Sequence, residues 1–434
     1  MNAMRNPHIA NQRPMKRANV IDRAELYMRQ MTAPKPFSHP IHITKPVLPD
    51  LDRLKPKLEE IWASGWVTNM GTQHDAFEKK VKQYLKAHNI CLFCNGTLAL
   101  QLACQVLRLS GEVITTPFTF PATAHVLYWN RIQPVFSDIR PDTFNMDPQK
   151  IEAMITPATT AILPVHVFGY PCDTEAIQEI ADRHGLKVIY DAAHAFGVEV
   201  DGTPIGNFGD ISMFSFHATK VFHTIEGGAL TFSDPRIRAR LDFAKNFGFK
   251  DEETIVVPGI NAKMNEIQAA IGMLVLKEME DERKRRKLLV QIYKERLRQV
   301  PGVQCRADIA NVRHNYYNFA VTIDEAAFGC SRNELHDALK QYNVITRKYF
   351  YPLCSRFQCY RRHPSSAPEN LMVAETISQK VIILPLYGNL KKENVERICS
   401  IIEHIQRSSR KSKLFFKPIP IKQSSHAAMR ISSS

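Results

Sequence analysis

Residues 187–220 read KVIYDAAHAFGVEVDGTPIGNFGDISMFSFHATK. Two short apolar runs, KVIYDAA and ISMFSF, lie within this stretch; Asp191 stands at the end of KVIYD, and His217, Thr219 and Lys220 follow the second. Continuous rather than alternating hydrophobicity marks strands buried on both faces, as in a mostly parallel sheet. Five further runs of this kind flank the stretch: NICLFC (89–94), EVITTP (112–117), QPVFSDI (133–139), AILPVHVF (161–168) and GALTFSD (228–234). Between them TLALQLACQVLRL, PATAHVLYW and DTEAIQEIADRHG read as amphipathic helices. The pattern predicts an α/β fold built on one large sheet of seven strands.

A long charged helix follows over 266–298 and leads into a smaller region of mixed helix and strand. The predicted organisation is a disordered basic extension over 1–40, a large domain over 41–290, a small α+β C-terminal domain over 291–408 and a disordered basic tail over 409–434. PSSAPEN (364–370) reads as a loop.

A chain of 434 residues with 44% hydrophobic residues can bury a large core. Its net charge is +14, but residues 1–40 carry +5 of this and residues 405–434 carry +7, leaving +2 for the body. That distribution argues against a nucleic-acid-binding body. Both ends have the composition of solvated tails. Leu414, Phe415 and Phe416 among the C-terminal lysines also suit contact with an anionic membrane surface or an acidic partner. Nine cysteines, with one CxxC (Cys91, Cys94) and no second pair, point to reduced thiols, no metal site and a cytoplasmic compartment. No apolar run reaches the ~18 residues of a membrane span, and the N-terminus lacks the apolar segment of a secretory signal.

In open α/β sheets ligands collect at the carboxyl ends of the strands, and four features fall there. Asn95-Gly96-Thr97 ends a strand and opens a helix, where free N–H groups and a hydroxyl form a phosphate cup or simply a helix cap. Asp191 ends KVIYD; it reads either as a cap for AAHAFG or as the partner of a protonated pyridine nitrogen. Lys220 follows ISMFSF in SFHATK; it reads as a loop lysine or as an amine that resolves its burial by forming a Schiff base. Phe120, in PFTF, is a core ring or a stacking platform for a flat heterocycle. No strand is followed by GxGxxG, which argues against a nicotinamide dehydrogenase.

These features resemble the DegT-type sugar aminotransferases, of the aspartate-aminotransferase fold (fold type I). The likeness is an ordered series over about 45–390: SGWVTNMGTQHDAFEKKVKQYL, NGTLALQLA, EVITTPFTFPATA, PVFSDIRPDTFNMDPQKIEAMI, HVFGYPCD, VIYDAAHAFG, GDISMFSFHATKVFHTIEGGA and GINAKMNEIQAAIG. The resemblance implies pyridoxal 5′-phosphate as cofactor, held by Lys220 as a Schiff base, with Asp191 on the pyridine nitrogen and Phe120 on the ring. It also implies that Gly96, Thr97 and Ser215 hold the phosphate. Asn261 would reach that phosphate from a neighbouring subunit, making the active unit a homodimer with shared sites. Two positions depart from the family's frequent residues: His194 stands where Gln is common, facing the cofactor's phenolic oxygen, and Cys354 stands where His is common. SFHATKVFHTIEGGA and TRKYFYPL look nearest to the viosamine-type branch, which aminates nucleotide-linked (dTDP) 4-keto-6-deoxyhexoses with L-glutamate for polysaccharide or O-antigen synthesis. A 3-keto sugar, a cyclitol ketone or a sugar dehydration are the alternative reactions; the dehydratases carry His in place of the Schiff-base lysine, and Lys220 argues against that branch.

Overall fold

The computed structural model describes residues 34–411. Helices α1 (Leu51–Ser64) and α2 (Thr72–Tyr84) precede β1 (Asn89–Phe93). The chain then alternates through α3 (Gly96–Val106), β2 (Glu112–Thr115), α4 (Pro121–Trp129), β3 (Gln133–Phe136), β4 (Thr159–Leu163), α5 (Thr174–His184) and β5 (Lys187–Asp191). Two short strands, β6 (Glu199–Val200) and β7 (Thr203–Pro204), separate β5 from β8 (Ile211–Ser215), β9 (Gly228–Phe232) and α6 (Arg236–Ala244). After α7 (Glu266–Leu297) come β10 (Val303–Cys305), β11 (Val312–Arg313), β12 (Phe319–Ile323), α8 (Glu325–Phe328), α9 (Arg332–Gln341), α10 (Met372–Lys380), β13 (Val381–Leu384) and α11 (Lys392–Lys411).

All seven expected strands join one sheet, in the order β1-β9-β8-β5-β4-β2-β3. From β8 to β3 every neighbouring pair is parallel, while β9 runs antiparallel to both β8 and β1. Helices cover both faces, which is why the strands are apolar throughout. On one face Cys91, Phe93, Leu163 and Ile189 pack on α3 and α6; on the other Leu92, Phe214 and Ala229 pack on Phe77 of α2 and Ile271 of α7.

A second sheet, β10-β12-β13, is antiparallel and packs with α9, α11 and the end of α7. Helix α7 serves both cores: Ala269, Val275 and Met279 face the first, and Leu289, Tyr293 and Leu297 the second. Between these stretches lies a buried ion pair, Arg286 Nε to Glu282 Oε1 at 2.6 Å, with both side chains 2% exposed. Arg286 Nη1 also donates to the carbonyls of Tyr317 (3.1 Å) and Leu386 (3.3 Å), and Glu282 accepts from the Gly388 N–H at 2.8 Å. A side chain at position 388 would collide with that carboxylate, since its Cβ would lie 1.8 Å from Glu282 Oε2. Without these partners either charge would be costly to bury.

Three expectations need correction. The basic extension expected over 1–40 lies mostly outside the described residues, but 34–40 are tied down at Phe37, which is buried and whose N–H donates to the Tyr342 carbonyl at 3.1 Å. At the other end α11 runs to Lys411, past the expected start of the tail at 409; the remainder of the tail lies outside the described residues. The segment 364–370 forms two 3₁₀ turns, and Ser365 is buried where its hydroxyl accepts from the Phe136 N–H at 2.9 Å.

Candidate active site

A cavity of about 620 Å³ opens at the carboxyl ends of β1, β5 and β8. Seven of the eight expected site residues line it: Gly96, Thr97, Phe120, Asp191, His194, Ser215 and Lys220. Asn261 does not. It is exposed at the end of the 246–261 hairpin, bridged through its backbone to Asn246.

The corner expected to take the phosphate follows from how α3 begins. Asn95 caps the helix by accepting from the Leu98 N–H at 2.8 Å. The N–H groups of Gly96 and Thr97, ahead of it, have no acceptor within the helix and keep the positive end of its dipole open. Ser215 ends the neighbouring strand close by: a Cβ on Gly96 would sit 3.1 Å from that of Ser215. Glycine suits this position through closeness rather than through an unusual backbone angle.

Asp191 is 4% exposed and carries two donors. The Thr123 hydroxyl donates to Oδ2 at 2.8 Å and the Ala193 N–H to Oδ1 at 3.0 Å. Thr119 Oγ1 lies 2.8 Å from Thr123 Oγ1, so the hydroxyls form a short chain ending on the carboxylate. Burial raises the carboxyl above its ordinary value, opposed by these hydrogen bonds and by the charge of Lys220. Such a carboxylate has the environment of a group awaiting a cation.

Lys220 sits in a loop between two buried rings, Phe216 and Phe222, which meet edge-on at 4.9 Å. The Lys220 N–H donates to the His217 carbonyl at 2.8 Å, and this turn carries the side chain into the cavity. Its Nζ lies 3.4 Å from the Tyr317 hydroxyl and 5.0 Å from that ring's centroid.

His194 is buried, and its Nδ1 accepts from the Phe168 N–H at 3.2 Å. That bond fixes the tautomer: the proton of the neutral ring resides on Nε2, leaving one donor. Burial, followed by the Lys220 charge, holds the ring well below its ordinary pKa. Its faces lie near Tyr317 (4.5 Å) and Phe350 (6.1 Å). Phe120, at the N-cap of α4, is 56% exposed at the cavity wall. Cys354 is fully buried, with Sγ 3.4 Å from the Thr119 carbonyl oxygen, and is not among the cavity's lining residues.

Tyr317, Tyr349 and Phe350 line the cavity from beyond α7, and Glu226 from the loop before β9. These, with Thr119 and Thr123, are the site residues that sequence reasoning missed. TRKYFYPL contains two of them and stood out as a segment, without a role for either ring.

The residues present fit pyridoxal 5′-phosphate. The cavity offers an amine, a buried carboxylate short of a cation and an open helix N-terminus, in a volume suited to a small cofactor with its substrate. Among the described residues no group of three or more His, Cys, Asp or Glu is placed to hold a metal ion, and no helix is long and apolar enough to cross a membrane.

The sequence profile of the DegT/DnrJ/EryC1/StrS aminotransferase family matches residues 51–403, and the chain belongs to this family. A dTDP-4-amino-4,6-dideoxy-D-glucose transaminase of Escherichia coli is 43% identical over 365 residues, 83% of this chain and 98% of the relative. Its counterpart in Shigella dysenteriae is 44% identical over 367 residues, 85% and 99% of the two chains. Among solved structures, DesI, crystallised in the presence of its TDP-sugar product, matches with a TM-score of 0.83 and 36% identity, covering 87% of this chain and 96% of that one.

Proposed function

We propose that this enzyme transfers an amino group from L-glutamate to a dTDP-linked 4-keto-6-deoxyhexose, using pyridoxal 5′-phosphate and giving a 4-amino-4,6-dideoxy sugar nucleotide. The observation that carries the reading is the meeting, in one cavity, of Lys220, Asp191 and the open start of α3. The substrate follows from 43–44% identity to transaminases named for that sugar, over nearly their whole length.

When bound, the cofactor supplies an electron sink that lets the amino donor lose its α-proton. Lys220 would hold its aldehyde carbon, and is the only amine among the lining residues able to take up and return that proton. Asp191 would face the ring nitrogen and keep it protonated. Thr123 and Ala193 hold the carboxylate in place for this. His194 Nε2–H would donate to the phenolic oxygen, and Phe120 would cover one ring face. Gly96, Thr97 and Ser215 would receive the phosphate.

We further propose a homodimer in which Asn261 completes the neighbour's phosphate site. Trp66, Val67 and Met70 are exposed just before α2, and Phe247, Phe249, Ile255 and Val256 just before α7. The first of these segments is tied to the start of α7, where the Glu266 N–H donates to the Val67 carbonyl. Exposed large apolar side chains of this kind support burial against a second copy. A division between large and small domains at residue 290 is supported by the two cores that α7 serves. Nine free cysteines support a reducing, cytoplasmic setting.

The test is product formation: cofactor-loaded protein, L-glutamate and a dTDP-4-keto-6-deoxyhexose should yield the amino sugar by mass spectrometry. Turnover of glutamate without amination of that sugar would overturn the substrate assignment.

A further inference from the structure

Tyr349 lines the active-site cavity and also a second cavity of about 400 Å³, set between α9 and the segment 344–351. Lys340, Arg347 and Lys348 line this second cavity, together with His336. Arg332, buried behind the Tyr351 ring, adds a fourth cation: its guanidinium lies 5.3 Å from the ring centroid, and Lys348 Nζ lies 5.8 Å from the same centroid.

These cations lack carboxylate partners. Among the described residues none of Arg332, Lys340, Arg347 and Lys348 forms an ion pair, whereas Arg238, for instance, holds both Glu78 and Asp242. Lys348 Nζ donates only to the neutral Asn333 Oδ1, at 3.2 Å, and Arg332 Nη2 is buried without a hydrogen-bond partner. Burial, then the charges of Lys348, Arg332 and Lys340, hold His336 below its ordinary pKa, with Asp337 opposing them. Uncompensated like charges repel, and in a concave wall they raise the local concentration of anions.

We infer that this second cavity receives the diphosphate of the nucleotide sugar, with Arg347 and Lys348 engaging the phosphoryl oxygens. The inference rests on the reading of the neighbouring cavity as the site of amino transfer to such a sugar. A nucleotide sugar carries its diphosphate on C1, across the ring from C4. A sugar whose C4 faces Lys220 therefore projects its diphosphate away from the reacting atoms, and Tyr349, which lines both cavities, sets the cluster next to that one. Guanidinium and ammonium groups are the side chains suited to phosphoryl oxygens.

Calorimetric binding of dTDP and of thymidine to the full-length, cofactor-loaded protein tests this directly. In Arg347→Gln/Lys348→Gln the affinity for dTDP should fall at least about tenfold, with thymidine binding unchanged. The KM for the nucleotide sugar should rise while kcat stays within about twofold, and Arg347→Lys should recover part of the loss. Should the double variant fail to fold, Lys340→Gln, at an exposed position, should give the same trend at smaller size. Wild-type affinity for dTDP in variants that fold, or no dTDP binding by the wild type, overturns the inference. Tight, charge-dependent dTDP binding without amination of any dTDP-4-keto sugar would leave this cavity standing and sink the proposed reaction.

Discussion

Asp191 shows how one side chain can be read as structural or as chemical depending on what surrounds it. Asp191 lines the cavity, is 4% exposed and is held by a hydroxyl chain from Thr119 through Thr123. Replacing Asp191 by Asn should lower kcat by roughly 100-fold or more, because the negative charge proposed to face the ring nitrogen is lost. Thr123→Val removes only one donor, and a fall of about tenfold is expected. Steady-state kinetics on the two variants separate these effects, and equal losses would contradict the account. Lys220, Asp191 and Ser215 were legible because each lies at or just beyond a strand end, where sheet topology gathers ligands. Tyr317 was not: it stands 97 residues after Lys220, and its backbone is positioned by Arg286 in the middle of α7. Nothing local marks an aromatic in RHNYYNF as a neighbour of Lys220.

At the scale of elements, α2 depends on a carboxylate supplied by another helix. Gly71, at its N-cap, has no side chain to offer. Glu266, the first residue of α7 and 1% exposed, accepts instead from the N–H groups of Gly71 (3.1 Å), Gln73 (2.8 Å) and His74 (3.1 Å). Glu266→Ala leaves those donors without an acceptor and should destabilise the fold by about 3 kcal/mol. Denaturant unfolding measures this, and a loss under ~1 kcal/mol would mean that water replaces the cap. The strands themselves were legible because burial on both faces writes itself as a continuous apolar run. Their order was not: the antiparallel β9 inserts between β1 and β8, and no periodicity encodes that. Segments 34–40 and 364–370 look polar and irregular, yet single residues, Phe37 and Ser365, anchor them.

Across the whole molecule, buried neutral histidines should make stability depend on pH. Burial holds His166 at about 3 and His194 well below its ordinary value. Below about pH 6.5 the unfolded chain takes up protons at these positions and the folded chain does not. Their contribution is therefore intact above pH 6.5 and is lost as pH falls from there toward 3, by up to ~1.4 kcal/mol per histidine per pH unit. Unfolding midpoints measured from pH 7.5 to 5 should fall accordingly; a flat profile would contradict the burial of neutral rings. The proposed dimer has its own test. Mixing Lys220→Ala and Asn261→Ala chains under exchange should restore up to roughly a quarter of wild-type activity, since each mixed dimer assembles one intact site. No recovery, with exchange confirmed, would mean that Asn261 serves no neighbouring site.

In the proposed reaction Lys220 holds the cofactor and moves the proton. The most direct measurement is the visible absorbance of protein loaded with pyridoxal 5′-phosphate, wild type against Lys220→Ala, before and after L-glutamate. The wild type should lose its visible band as glutamate converts the cofactor to the amine form, and Lys220→Ala should show neither the wild-type band nor its conversion at a comparable rate. Equal absorbance and equal conversion in the two proteins would contradict the account.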